Sequence, residues 1–155
     1  MKLLIGLGNP DKKYANNRHN VGYLLVNKMW QLGESSLISK QSNVFMNESG
    51  SVVKKLVDQY SLDLNNLYIA HDDLDIKLGE YKIQFGRGPK DHNGINNIES
   101  VLGTSDFWRI RIGVDNRDSA HRTEGEKYVL EDFTQEESVM VDKAINEICK
   151  KLATS

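Results

Sequence analysis

Short apolar runs that end in polar clusters alternate along this chain with segments whose apolar residues recur at helical spacing, and few folds accommodate that order. Lys2 to Leu7 is such a run, closing on Gly6-Leu7-Gly8, and reads as a buried strand entering a turn. After Val21, the residues Leu24, Leu25, Met29 and Leu32 mark a helix, with Gly33 as its stop. Glu34 to Val44 is polar and serine-rich and reads as a linker with room for a short strand. Val52, Val53, Leu56, Val57 and Tyr60 mark a second helix, and Leu67 to Ala70 a buried strand that ends in a polar turn at His71-Asp72-Asp73-Leu74-Asp75. Glu80 to Phe85 and Phe107 to Val114 alternate polar with apolar residues, as half-buried strands do. Ile95, Ile98, Val101 and Leu102 predict a short helix between them. Thr134-x-x-Glu137 is a capping box that opens a last helix running to about Leu152. Strands alternating with helices imply an α/β fold, a largely parallel sheet with helices packed on it, and 155 residues suit one domain over 1–155.

A net charge of −2 excludes a whole-molecule basic field as the means of recruiting a polyanion. Nucleic-acid contact would need a local patch. The candidates are Lys12, Lys13 and Arg18, then Lys82, Arg87 and Lys90, then Arg109 and Arg111. Cys149 has no second cysteine to pair with, which fits a reducing compartment, and it reads as a small buried hydrophobe rather than a catalytic thiol. The opening apolar run is too short for a signal peptide or a membrane span, so a cytoplasmic protein is expected.

The first turn, Gly6-Leu7-Gly8-Asn9-Pro10-Asp11, lacks the third glycine of a dinucleotide fingerprint, and there is no P-loop motif. It does place Asn9 at the carboxyl end of a strand, where α/β proteins gather ligands. Arg18-His19-Asn20-Val21-Gly22 sets a histidine just before a helix, and a carboxylate from Asp72, Asp73 or Asp75 could fix its tautomer so that the other nitrogen takes a proton from water. A hydrated turn and a metal site are the other readings of the acidic cluster, and metal is disfavoured by the absence of a His-x-x-x-His or Glu-x-x-His spacing. Met46-Asn47 and His92-Asn93-Gly94 each precede a helix, where an asparagine ordinarily caps. Taken together, Asn9, His19, Asn47, Asp72, His92 and Asn93 fall at element ends that one sheet edge could gather. Amide donors beside one histidine and one aspartate suit acyl transfer to water. No Gly-x-Ser-x-Gly elbow is present.

The ordered set Gly6-Leu7-Gly8-Asn9-Pro10 with Tyr14, Arg18-His19-Asn20-Val21-Gly22, Phe45-Met46-Asn47-Glu48-Ser49-Gly50, His71-Asp72-Asp73-Leu74-Asp75, His92-Asn93-Gly94, Arg109-Ile110-Arg111-Ile112-Gly113 and Tyr128-Val129-Leu130 resembles the bacterial-type peptidyl-tRNA hydrolases. Each piece is weak alone, and the order is specific. The resemblance implies a twisted mixed sheet flanked by helices on both faces, a monomer, and hydrolysis of the ester in peptidyl-tRNA with no metal or organic cofactor. It implies His19 as the base, Asp72 as its orienting partner and Asn9 beside them. It places Tyr14, Met46, Asn47, His92 and Asn93 at the substrate, and Lys82, Arg87, Arg109 and Arg111 as candidates for tRNA phosphates. A non-catalytic RNA-binding relative is the alternative.

The chain also departs from that family. Between Gly33 and Phe45 the family usually carries a strand pair and a lead-in strand, where this chain has a short polar linker. The loop from Arg117 to Thr123 is shorter than is common, and Pro89-Lys90-Asp91 replaces a glycine-rich run, giving a stiffer and more charged loop. Many members continue beyond the position of Ser155 into a further helix used for tRNA, so lowered RNA affinity is expected.

Overall fold

The computed structural model describes residues 1–120 and 122–154. His121, within the Arg117–Thr123 loop, and the terminal Ser155 lie outside the described residues. Five strands form one sheet in the order β2-β1-β3-β5-β4. They are β1 (Leu3–Gly6), β2 (Ile38–Gln41), β3 (Leu67–Lys77), β4 (Tyr81–Phe85) and β5 (Trp108–Asp115). β1 pairs in parallel with β2 and β3, and β3 with β5, whereas β4 runs antiparallel to β5. The sheet is thus mixed and mostly parallel, as the resemblance implied.

The helices are α1 (Val21–Gln31), α2 (Ser49–Gln59), α3 (Asn93–Leu102), α4 (Gly125–Val129) and α5 (Gln135–Thr154). Alternation along the strands splits the core in two. Leu4 of β1, Tyr68 and Ala70 of β3, and Ile110, Ile112 and Val114 of β5 pack against Leu25 and Met29 of α1 and Ile145 and Ile148 of α5. Leu3, Ile5, Leu67 and Ile69 point the other way, onto Val53 of α2 and Ile95 and Ile98 of α3. Helices therefore cover both faces. Cys149 is buried in the first cluster, in keeping with its reading as a small hydrophobe.

The ends of these elements follow local chemistry. Gly33 takes a φ of +65° just past α1, where a side chain would be strained. Thr134 and Glu137 form the reciprocal cap of α5: the Glu137 amide donates to Thr134 Oγ1 at 3.1 Å and the Thr134 amide to Glu137 Oε1 at 2.9 Å. α1 lies so close to the sheet that a Cβ on Gly22 would stand 2.5 Å from the Ala70 carbonyl oxygen and 2.7 Å from the Leu7 amide.

Three expectations change. The polar stretch from Glu34 to Val44 contains strand β2, held by bonds from the Ile38 amide to the Lys2 carbonyl and from the Ser42 amide to the Gly6 carbonyl. A short edge strand needs only that ladder and so shows little hydrophobic period. The second change concerns His71 to Asp75, which form no turn: β3 runs through them to Lys77, and His71, Asp72 and Asp73 are buried. Strand pairing to β5 continues through Asp73↔Gly113, and inside the protein Asp72 meets His19 and His92 while Asp73 meets Arg111. Thirdly, the polar face of β5 is covered. Arg109 is 1% exposed and bonds to Glu99 and to the Ser105 carbonyl, and Arg111 pairs with Asp73 at 2.7 Å.

Two outcomes follow from this packing. Gly22→Ala forces backbone against backbone, so urea unfolding should show a loss of about 1–3 kcal/mol; unchanged stability would contradict the close approach. His71 is fully buried, and burial, aided by the nearby Arg109 against the opposing pull of Asp72, pushes its pKa down to about 3. Its contribution is present above the unfolded value of about 6.5 and is lost as pH falls toward the folded one, because the unfolded chain takes up the proton. Denaturation midpoints should therefore fall between neutral and acid pH, and less steeply in His71→Gln.

Candidate active site

The carboxyl ends of β1 and β3 and the loops beyond them open on a cleft of about 940 Å³. Asn9, His19, Asp72 and His92 lie at its base, and Phe45, Met46, Asn47 and Asn93 continue the lining. A further wall carries Leu74 of β3 and Val129 and Leu130 at the end of α4, with Arg117, Arg122, Glu124 and Glu126 beside them.

Asp72 is the hub. Its Oδ2 accepts from His19 Nδ1 at 2.7 Å, and its Oδ1 accepts from His92 Nε2 at 2.7 Å. His92 caps α3, its Nδ1 accepting from the Ile95 amide at 3.2 Å. An imidazole nitrogen that accepts has no proton, so His92 carries its proton on Nε2 and donates it to Asp72. The ionised carboxylate likewise fixes the proton of neutral His19 on Nδ1. His19 Nε2 has no protein partner among the described residues, which leaves its lone pair for a substrate or water.

Electrostatics follow this geometry. Burial works against the charged form of His19, but the charge and hydrogen bond of Asp72 outweigh it and raise the pKa above the ordinary histidine value. For Asp72, burial favours the neutral acid, yet attraction to His19 and His92 and the bonds from both rings hold the carboxyl well below the usual carboxylate range. The site thus keeps a permanent anion behind a titratable imidazole.

Asn9 is fixed from three directions. Its amide donates to Asn20 Oδ1 at 2.8 Å, its carbonyl accepts from Asn20 Nδ2 at 2.9 Å, and its Oδ1 accepts from the Met46 amide at 2.9 Å. The remaining group is the Nδ2 donor. Asn20 thereby belongs to the site, though its position beside His19 was the only sign of it in the sequence. Asn47 and Asn93 line the cleft with exposed side chains and cap no helix: Asn47 lies within the single 3-10 turn Met46–Glu48, and His92 rather than Asn93 caps α3.

Not every expected residue reaches the cleft. Tyr14 lies outside its lining, with Lys13 Nζ 5.0 Å from the centre of its ring. Arg109 and Arg111 spend their guanidinium groups on Glu99 and Asp73 and are nearly covered, so they are internal supports rather than the phosphate contacts expected. Lys82 and Arg87 are exposed. Arg18, named above as part of a basic patch, is buried in an ion pair with Glu137. The wall formed by Leu74, Val129 and Leu130 was missed, although the His71 to Asp75 and Tyr128-Val129-Leu130 motifs contain its residues.

His19, Asp72 and His92 are the group among the described residues whose ligand atoms, all within 4.8 Å of one another, lie close enough to hold a metal ion. With the Ile95 amide donating to Nδ1, the His92 Nε2 carries a proton and offers no lone pair, whereas metal-bound histidines usually donate from their second nitrogen.

Comparison with known proteins agrees with this geometry. The family model described as Peptidyl-tRNA hydrolase matches residues 3–155. A peptidyl-tRNA hydrolase of Mycobacterium leprae is 36% identical over 173 residues, covering 98% of this chain and 83% of that protein. That alignment exceeds the 155 residues present here, so the relative carries residues that this chain lacks. One from Mycoplasma mobile is 35% identical over 162 residues, covering 95% of this chain and 88% of the relative. Among solved structures, a peptidyl-tRNA hydrolase from Acinetobacter baumannii superposes with a TM-score of 0.82 at 28% identity, over 97% of this chain and 86% of that one. The Escherichia coli endopeptidase HycI, with a TM-score of 0.60 at 14% identity, shares the fold alone. A match over nearly the whole length, on a chain whose cleft gathers the motif residues, places this protein in the peptidyl-tRNA hydrolase family.

Proposed function

We propose that the chain hydrolyses the ester joining a peptide to tRNA, with water as nucleophile and His19 as general base. The observation that carries the mechanism is the His19–Asp72–His92 relay, which leaves His19 Nε2 unengaged at the base of the cleft. Among the described residues, no serine, threonine or cysteine lines the cleft, which supports a nucleophile drawn from solvent. In this reading His19 Nε2 takes a proton from water as the water oxygen bonds to the ester carbonyl carbon. Asp72 stabilises the imidazolium that forms. Donors from Asn9, Asn47 and Asn93 hold the peptide backbone and the developing oxyanion. Collapse breaks the bond to the tRNA 3′-terminal ribose oxygen, and the imidazolium returns its proton to that oxygen. His92 positions Asp72 rather than touching substrate, a change from the substrate-binding role expected of it. Met46 contributes its amide, which holds Asn9.

We also propose that no metal takes part, since the hydrogen bonds that assemble the relay occupy both carboxylate oxygens and the His92 lone pair. A monomer is proposed as the working unit, as the resemblance to the family implies. No described helix is long and apolar enough to cross a membrane. A cytoplasmic location suits a substrate made by translation. The complete relay speaks against a non-catalytic RNA-binding relative.

His19→Ala should lose roughly 10²- to 10⁴-fold in turnover of peptidyl-tRNA. Normal turnover would sink the mechanism. Because the base works in its neutral form and Asp72 raises its pKa, the rate should climb with pH along a limb centred above about 6.5. Asp72→Asn should lower both the rate and the position of that limb. A chelator should leave the rate unchanged; activity lost to chelation and restored by metal would overturn the metal-free reading. For the RNA, Lys82→Ala with Arg87→Ala should weaken tRNA binding and flatten its salt dependence. A salt slope equal to that of the unmodified protein would remove these residues from the interface.

A further inference from the structure

The turn that delivers His19 into the cleft is anchored by a buried ion pair that the hydrolytic steps do not use. Arg18 and Glu137 have side chains only 7% and 5% exposed, and Arg18 Nη2 donates to Glu137 Oε1 at 2.8 Å. Arg18 Nη1 donates to the Tyr128 carbonyl at 3.1 Å and pairs with Glu131 at 3.3 Å, and the guanidinium lies 3.8 Å from the centre of the Tyr128 ring. Glu137 also accepts from the Thr134 amide and from Asn116 Nδ2. The Tyr128 hydroxyl donates to the Val114 carbonyl and accepts from the Asn116 amide, both at 2.9 Å. Backbone bonds complete the splice, from the Arg18 amide to the Glu131 carbonyl and from the Phe133 amide to the Asn16 carbonyl.

Three pieces of chain therefore meet at one guanidinium, the His19 turn, the end of α4 and the first turn of α5, and the end of β5 joins them through Tyr128 and Glu137. Two of them reach the cleft. His19 follows Arg18 directly, and Val129 and Leu130 follow Tyr128. A buried ion pair is a poor means of stabilising a fold, because apolar residues of similar volume often do as well or better. What a guanidinium adds is direction, through a planar fork and a stacking face that lysine lacks.

We propose that Arg18 and Glu137 are positioning residues that hold His19 against Asp72 and set the Val129–Leu130 wall relative to it. The inference rests on the reading of His19 as the base. Loosening the pair lets the His19 ring leave its 2.7 Å contact with Asp72, so fewer molecules hold the productive geometry and the imidazole loses the influence that raises its proton affinity. The titratable groups in contact with His19 are Asp72 and His92, and neither is altered by the substitutions below.

The test uses Glu137→Gln, Arg18→Lys and the apolar double variant Arg18→Met with Glu137→Leu, which removes the buried charges together and so keeps a folded protein within reach. Steady-state kinetics on peptidyl-tRNA, titration of the His19 ring by NMR and thermal unfolding are measured on each. The expected result is a kcat roughly 10-fold lower or more, KM changed by less than kcat, and a His19 midpoint moved down toward the ordinary histidine value. Folded variants with unchanged kcat and an unchanged His19 midpoint would overturn the proposal, even if their unfolding temperature fell. Such a result beside an inactive His19→Ala protein would fault the positioning alone. Full turnover by His19→Ala would overturn the base assignment and this inference together.

Discussion

A carboxylate midway along a parallel strand, 3% exposed, would ordinarily cost several kcal/mol to strip of water. Asp72 meets that cost by taking one imidazole on each oxygen, and much of the structure is arranged so that both rings can reach it. β3 carries the carboxylate past the point where the apolar run ends. The turn before α1 brings His19 from one side, and the N-terminus of α3 brings His92 from the other. Without one of the rings, one carboxylate oxygen would lose its hydrogen bond inside the protein.

The second arrangement that the site needs is a fixed set of amides. Asn9 is locked by Asn20 and by the Met46 amide, so its one unengaged group faces the cleft. The lock runs between the first turn, the start of α1 and the segment before α2, three pieces widely separated in sequence. Close packing makes this possible, since glycines at positions 6 and 22 let α1 lie against the sheet. The same packing that holds the Asn9 amide leaves His19 Nε2 without a protein partner among the described residues.

Charge has two uses in this molecule, and burial separates them. Arg18 and Arg111 each spend their guanidinium on a buried carboxylate and Arg109 on the part-exposed Glu99, and they tie together segments that carry the site. Lys82 and Arg87 stay exposed, available to a polyanion. A composition with a net charge of −2 is consistent with both, because the ion pairs inside cancel and only the remaining surface charges act at a distance.

The alternation of short apolar runs with helical periods was enough to establish the α/β class, the capping box of α5 and the stop of α1 at Gly33, because these depend on local backbone and burial preferences. The order of the motifs was enough to indicate the family and to select His19, Asp72 and Asn9. Strand β2, the course of β3 through His71 to Asp75, and the burial of Arg109 and Arg111 were decided by tertiary structure, since a polar residue reads as exposed until its partner is known, and those partners lie 10 to 53 residues away. The same holds for His92: only the Ile95 amide and the Asp72 carboxylate, brought together by the fold, decide which nitrogen bears the proton. Sequence could name the groups; the distances that make them a relay come from packing elements that are not neighbours along the chain.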